Sequence, residues 1–285
     1  MTTTEPFTLD TPSGHRIDGL LDLPDRPDPR PVVVVCHGFK GFMEWGFFPY
    51  LAELLADRGF VVARFNFSGS GMRPGEDRAT DLAGFRANTF SREQEDLHTV
   101  LDAVTGNLAG NRADSKRLAV VGHSRGGGAA ILTAGSAPWR NSIRALVTWA
   151  SVATFDRIGE EEKAAWRRDG VFTVLNSRTG QEMEMGLGLL DDLEQNRATL
   201  DVTAAAQRVS APWLIVHGEE DESVPVAEAD TLHRAAEAGE CPRSELERVS
   251  EAGHTFGAVH PFAGPTPHLT RALNATQTWL RRHLE

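Results

Sequence analysis

Ser124 stands in the run "VVGHSRGGG" (120–128), behind an apolar stretch and among glycines. Glycine weakens helix and strand alike, so such a cluster marks a place where the backbone must bend hard or be approached closely. A serine centred in Gly-x-Ser-x-Gly suits a strand-to-helix corner that exposes its hydroxyl, with small neighbours on both sides to prevent collision. A hydroxyl is a weak nucleophile until a base takes its proton, so the chemistry calls for an imidazole and a carboxylate to orient it. Asp221, in "WLIVHGEEDESVP" (213–225), falls on a loop just beyond an apolar run, and His254, in "SEAGHTF" (250–256), on a loop beyond the next. In this reading His254 deprotonates Ser124 as it attacks a carbonyl, Asp221 holds the imidazole, and water then hydrolyses the acyl-enzyme. Glu219, Glu220 and Glu222 surround Asp221 and are rival orienting acids on position alone. His37, His123 and His217 lie at strand ends or inside the corner and are expected to anchor loop backbone rather than titrate in catalysis. His260, His268 and His283 have no partners at metal-ligand spacing, so no metal site is expected.

The elements that must position these residues alternate strand with helix, which predicts a mostly parallel central sheet covered by helices on both faces. Segments around Phe7–Leu9 and Ile17–Leu23, split by Pro12-Ser13-Gly14, predict an opening antiparallel hairpin. Apolar runs at 32–36, 60–65, 118–121, 145–149, 213–216 and 246–249 are the remaining candidate strands. Leu51, Leu54 and Leu55 form a helical stripe ended by Gly59, while Ser91 and Gln94 are a candidate capping box ahead of Leu97, Val100, Leu101 and Val104. Loops at the carboxyl ends of parallel strands converge on one sheet edge, where residues distant in sequence can meet.

The interval Ser151–Ala211 is too long for a plain crossover and predicts an inserted lid over roughly 152–200 within one domain of residues 1–285. Its charged stretch around Glu160 to Lys163 reads as a solvated helix face. Trp166, Phe172, Met183, Met185 and Leu187 supply enough apolar surface to roof a substrate pocket, although the methionines and leucines of 183–190 suit the main core equally well. The stretch "GSGMRPG" (69–75) approaches a dinucleotide-binding glycine pattern, but Met72-Arg73-Pro74 interrupts the helix such a site needs, so no nucleotide cofactor is expected.

At 285 residues, 40% of them hydrophobic, the chain can bury a large core. A formal charge of −11 disfavours a phosphate-binding surface and hence a nucleic-acid partner. Cys36 and Cys241 make no disulfide framework. The amino terminus has no basic start followed by an apolar stretch, and no run is long enough for a membrane helix; the expectation is a cytoplasmic protein without a membrane partner.

Together, "HGF" (37–39), "GHSRG" (122–126), "HGEEDESVP" (217–225) and "GHTF" (253–256) resemble the α/β-hydrolase superfamily, over nearly the whole chain. Within it the sequence is most similar to small bacterial carboxylesterases, cinnamoyl and feruloyl esterases among them, bordering on dienelactone-hydrolase-like proteins. The resemblance implies Asp221 as the acid in preference to its glutamate neighbours, and the backbone N–H groups of Phe39 and Arg125 as the oxyanion hole. It also implies a cofactor-free serine hydrolase acting on carboxylic esters of small to medium acyl groups, hydroxycinnamates included. Alternatives are another triad reaction (thioesterase, peptidase or perhydrolase) and a ligand-binding protein without turnover. Two departures stand out. Arg125 replaces a more usual Gln or Met and is expected to pair with an acidic neighbour or, less commonly, with an acidic group on substrate; and "FNFSGSG" (65–71) replaces "FDFRGHG". Serine in place of cysteine moves the reading from dienelactone hydrolysis to ordinary ester cleavage. The sequence leaves oligomeric state open.

Overall fold

The computed structural model describes residues 2–285. Strands β1 (Thr3–Asp10) and β2 (Arg16–Leu23) form the antiparallel hairpin expected at the start of the chain. β3 (Arg30–Cys36) and β4 (Val61–Phe65) pair in parallel, and β4 also pairs antiparallel with β2. β5 (Ala113–His123) and β6 (Ile143–Trp149) extend the parallel part. After a separate antiparallel hairpin of β7 (Val171–Asn176) and β8 (Gln181–Gly186), the strands β9 (Trp213–Gly218) and β10 (Ser244–Val249) complete it. The resulting eight-stranded sheet has the order β1-β2-β4-β3-β5-β6-β9-β10.

The central strands read as unbroken apolar runs because both their faces are buried. Alternation along β3 divides the core. Val32, Val34 and Cys36 point to one side, where they join α3 (Phe90–Thr105), α4 (Arg125–Ala134), α7 (Val202–Arg208) and α8 (Val226–Ala238). Val33 and Val35 point to the other, against α1 (Phe48–Asp57) and α9 (Pro267–Leu284). Each such valine is essentially inaccessible to solvent and contributes about 1.5–3 kcal/mol relative to an exposed position.

The insertion holds α5 (Glu160–Asp169), the β7–β8 hairpin and α6 (Leu187–Gln195), whereas α7 is the ordinary crossover helix back into the sheet. It is fastened to the segment that precedes and opens α3. Gln181 exchanges hydrogen bonds with both backbone groups of Ala79, Arg86 pairs with Glu184, and Ser91 donates to Asp192 through its N–H and its hydroxyl. That last contact corrects the expected capping box. Thr89 is the N-cap of α3, its hydroxyl accepting from Arg92 N–H at 3.1 Å. Ser91 is spent on the insertion and Gln94 on Ala129 and Thr133 of α4. After β4 no helix begins until α2 (Leu82–Arg86), so "GSGMRPG" lies in irregular chain without a helix N-terminus behind it.

Candidate active site

Ser124 joins β5 to α4 with φ 56° and ψ −122°, a left-handed backbone that an L-residue adopts only where its surroundings enforce it. The enforcement comes from crowding. A Cβ on Gly122 would stand 2.4 Å from the carbonyl oxygen of Gly126, and one on Gly126 would stand 2.3 Å from that of His37. A larger residue at Gly126 would push the corner off the end of β3, and one at Gly122 would push the first turn of α4 away from β5, which is why glycines flank the serine.

Asp221 follows β9 and His254 follows β10. His254 Nδ1 lies 2.8 Å from Asp221 Oδ2, and Asp221 Oδ1 accepts from the N–H groups of Ser223 and Val224, both at 2.9 Å. Burial works to raise the Asp221 pKa, but hydrogen bonds from His217 and His254 outweigh it and hold the carboxyl well below the usual range. The ionised carboxylate therefore accepts a hydrogen bond from Nδ1–H of His254, which keeps the proton on Nδ1 and leaves Nε2 with the lone pair a base needs. Glu219, Glu220 and Glu222 are exposed while Asp221 is buried, so the loop turns only the aspartate toward the imidazole. Ser124 and His254 line one cavity, and no direct hydrogen bond joins their side chains among the described residues. Such contacts commonly tighten only when substrate is bound.

Four other histidines, His37, His123, His217 and His260, hold backbone groups. Phe67 N–H donates to His37 Nε2 at 3.1 Å while His37 Nδ1 lies 2.9 Å from the Gly38 carbonyl; burial pushes its pKa down to about 4. His123 Nε2 lies 3.0 Å from the carbonyl of His254, so the residue before the serine grips the loop of the candidate base; burial lowers its pKa to about 3. His217 Nε2 is 2.8 Å from the Val224 carbonyl and 3.4 Å from Asp221. His260 accepts from Gly46 N–H, and His283 packs against Trp279. Among the described residues no group of three or more His, Cys, Asp or Glu side chains could hold a metal ion, and no helix is long and apolar enough to cross a membrane.

The N–H groups of Phe39, after β3, and Arg125, first in α4, make no backbone hydrogen bond among the described residues, and both residues line the cavity with Ser124. The Arg125 side chain has the acidic neighbour that sequence reasoning could not name. It forms a buried ion pair with Glu93 at 2.9 Å and lies over the rings of Phe90 and Phe39, 4.3 and 5.1 Å from their centroids. Glu93 also accepts from Asn88 at 2.7 Å. The guanidinium thus braces the residue that carries one candidate oxyanion donor against the ring of the residue that carries the other.

The cavity measures about 410 Å³. The insertion supplies its far wall through Trp166, Phe172 and Met185, together with Leu189 and Leu190, which the sequence leaves between core and pocket, and Val174, which it does not single out. Met183 and Leu187 do not line it. Met183 shares its face of β8 with Met185 and is buried in the same core, two residues nearer the hairpin turn and beyond the reach of the cavity, and Leu187 packs against that core half-buried. Trp166 Nε1 donates to the Met185 carbonyl at 3.0 Å, which locks α5 onto the hairpin.

Over 287 residues the chain is 25% identical to the uncharacterized peptidase YuxL of Bacillus subtilis (strain 168), covering 98% of this chain and 39% of that protein, so it spans about two-fifths of that relative's length. Its fold is that of Est1E from Butyrivibrio proteoclasticus, solved with ferulic acid bound (TM-score 0.70, 18% identity, 97% of this chain and 98% of that one). It is also that of the acylaminoacyl peptidase of Pyrococcus horikoshii (TM-score 0.71, 18% identity, 99% of this chain and 42% of that one). Residues 45–284 match the prolyl oligopeptidase family; the chain belongs to that family of hydrolases and has the α/β-hydrolase fold.

Proposed function

We propose that the protein is a serine esterase acting on carboxylic esters with small to medium acyl groups, aromatic ones among them. The observation that carries this reading is the cavity: Ser124 and His254 open into a space walled by Trp166, Phe172, Met185 and Leu189, of a size that takes one ring and a short chain. Ser124 attacks the ester carbonyl as His254 takes its proton; the alcohol leaves with that proton; and water, activated by the same imidazole, splits the acyl-enzyme to the acid and free serine. Phe39 and Arg125 N–H groups receive the oxyanion, a contact worth ~3 kcal/mol for each donor. An aryl acid such as the ferulic acid held by Est1E suits these walls, whereas a long acyl chain would outrun them.

A second reading, peptide hydrolysis, draws on the family match and on the peptidase names among the relatives. One panel separates the two: para-nitrophenyl esters of graded acyl length, a hydroxycinnamate methyl ester, and aminoacyl anilides. The esterase reading expects short and aromatic esters to be cleaved at least ~100-fold more efficiently than any anilide. Anilides preferred over esters would overturn it.

A further inference from the structure

The cavity is walled by the cations Lys40, Arg125, Arg157 and Lys163 and by the carboxylate of Asp156. Most of this charge is already matched. Arg125 pairs with Glu93, Arg157 with Glu228, and Lys163 with Asp156 and Glu160. Lys40 differs: among the described residues it has no carboxylate within ion-pair distance, and its Nζ makes one hydrogen bond, 2.9 Å to the Leu175 carbonyl. An ammonium carries three donors, so this one retains unused donors at the cavity wall, where the other charged side chains are already paired. Burial pushes the Lys40 pKa down, which means that the charged form is short of the stabilisation an anion would give.

Its position is also fixed. Lys40 follows Phe39 directly and has φ 58°, a left-handed backbone that aims its side chain, in the tight turn closed by Gly41 N–H to the Gly38 carbonyl at 3.0 Å. Its Nζ stands 5.6 Å from the centroid of the Phe39 ring and is tethered at the end of β7, so the ammonium bridges the candidate oxyanion loop and the insertion.

We infer that Lys40 binds a free carboxylate carried by the substrate, and that the preferred substrates are esters bearing a second, ionised carboxyl group, such as half-esters of dicarboxylic acids. This rests on the esterase reading. A charge-assisted hydrogen bond is about twice as strong as a neutral one and is less screened at the half-buried wall where Lys40 stands than in bulk water, so a single such contact separates a charged ester from its neutral counterpart. Because the contact is made in the bound substrate and throughout the reaction alike, the preference resides mainly in KM.

The test compares kcat/KM within two matched pairs. Para-nitrophenyl hydrogen glutarate against para-nitrophenyl hexanoate puts the charge on the acyl side; para-carboxyphenyl butyrate against para-tolyl butyrate puts it on the alcohol side. The charged member is expected to win by about ten-fold in at least one pair. Lys40→Met should bring that ratio near one, Lys40→Arg should retain it, and Lys40→Glu should reverse it. Free glutarate should inhibit the native enzyme competitively. A native ratio near one in both pairs, or one that survives Lys40→Met, overturns the inference while leaving the esterase reading intact. If no ester in either pair is turned over but aminoacyl anilides are, the esterase reading itself falls and carries this one with it.

Discussion

The corner that holds Ser124 and the wall that faces it are built by different means. At the corner the backbone does most of the positioning: strand ends deliver His37, Ser124, Asp221 and His254, glycines allow close approach, peptide N–H groups hold Asp221, and His123 grips the carbonyl of His254. At the wall, side chains do it. Trp166, Phe172 and Met185 stand where they do because α5, the β7–β8 hairpin and α6 pack on one another and are fastened to Ala79, Arg86 and Ser91. On the proposed function, a site so divided would assign bond breaking to the part that cannot be varied and choice of substrate to the part that can.

The largest expected effect is on the corner. Ser124→Ala should cut ester turnover by about 10⁶-fold and abolish labelling by a fluorophosphonate, with the far-ultraviolet circular dichroism unchanged; surviving turnover would dissolve the division at once. Asp221→Asn should cost about 10⁴-fold, because an amide favours the wrong tautomer of His254. Glu219→Gln, Glu220→Gln and Glu222→Gln should lose far less, since these side chains point to solvent. The same loss in any of those three would move the orienting role off Asp221.

The join between corner and wall is the Arg125–Glu93 pair. Glu93→Ala leaves a buried guanidinium without its counter-ion, and denaturant unfolding should register a loss of about 3 kcal/mol; no measurable change would mean that the pair carries little weight. On the wall, Phe172→Ala should alter the ratio of kcat/KM between a hydroxycinnamate ester and an acetate ester by about ten-fold, with fluorophosphonate labelling retained. An unchanged ratio would make the insertion a structural cover and no more.

The smallest effect is one of pH. His37 and His123 have folded pKa values of about 4 and about 3, below the ordinary 6.5. Their contribution is therefore complete above pH 6.5 and is lost as pH falls toward those values, by about 1 kcal/mol for each imidazole between pH 6.5 and about pH 5.5. Thermal melts across that interval measure it, and His123→Gln should flatten the slope. Stability constant down to pH 4 would contradict the buried, neutral state of both rings.

The same division governs what could be read in advance. Apolar runs located the five strands β3 to β6 and β9 because burial on both faces writes itself into consecutive residues; the edge strand β10, mostly half-buried, shows only as Leu246 and Val249; and glycine spacing located the corner because steric demand leaves no substitute. The wall was legible only as apolar content. Met183 and Met185 sit two apart on one face of β8 and are both buried in the main core, yet only the second reaches the cavity, which the spatial relation of the hairpin to the sheet decides. Ser91 looked like a cap for the same reason: its partner, Asp192, is about a hundred residues away and enters no local pattern. Glu93, beneath Arg125, was hidden likewise, since a buried acid in the first turn of a helix looks like any solvated one until the fold supplies its cation.

Gly126 carries a consequence for descent. With the His37 carbonyl 2.3 Å from where a Cβ would stand, no stepwise path of single substitutions leads through that position, so lineages carrying this corner can diversify only around it. New substrate ranges then arise by exchange of insertion residues, and related chains should differ most between β6 and α7 while keeping the same three-dimensional kink at the serine. In a library randomised over both regions, functional survivors should be monomorphic at Gly126 and widely varied along the hairpin.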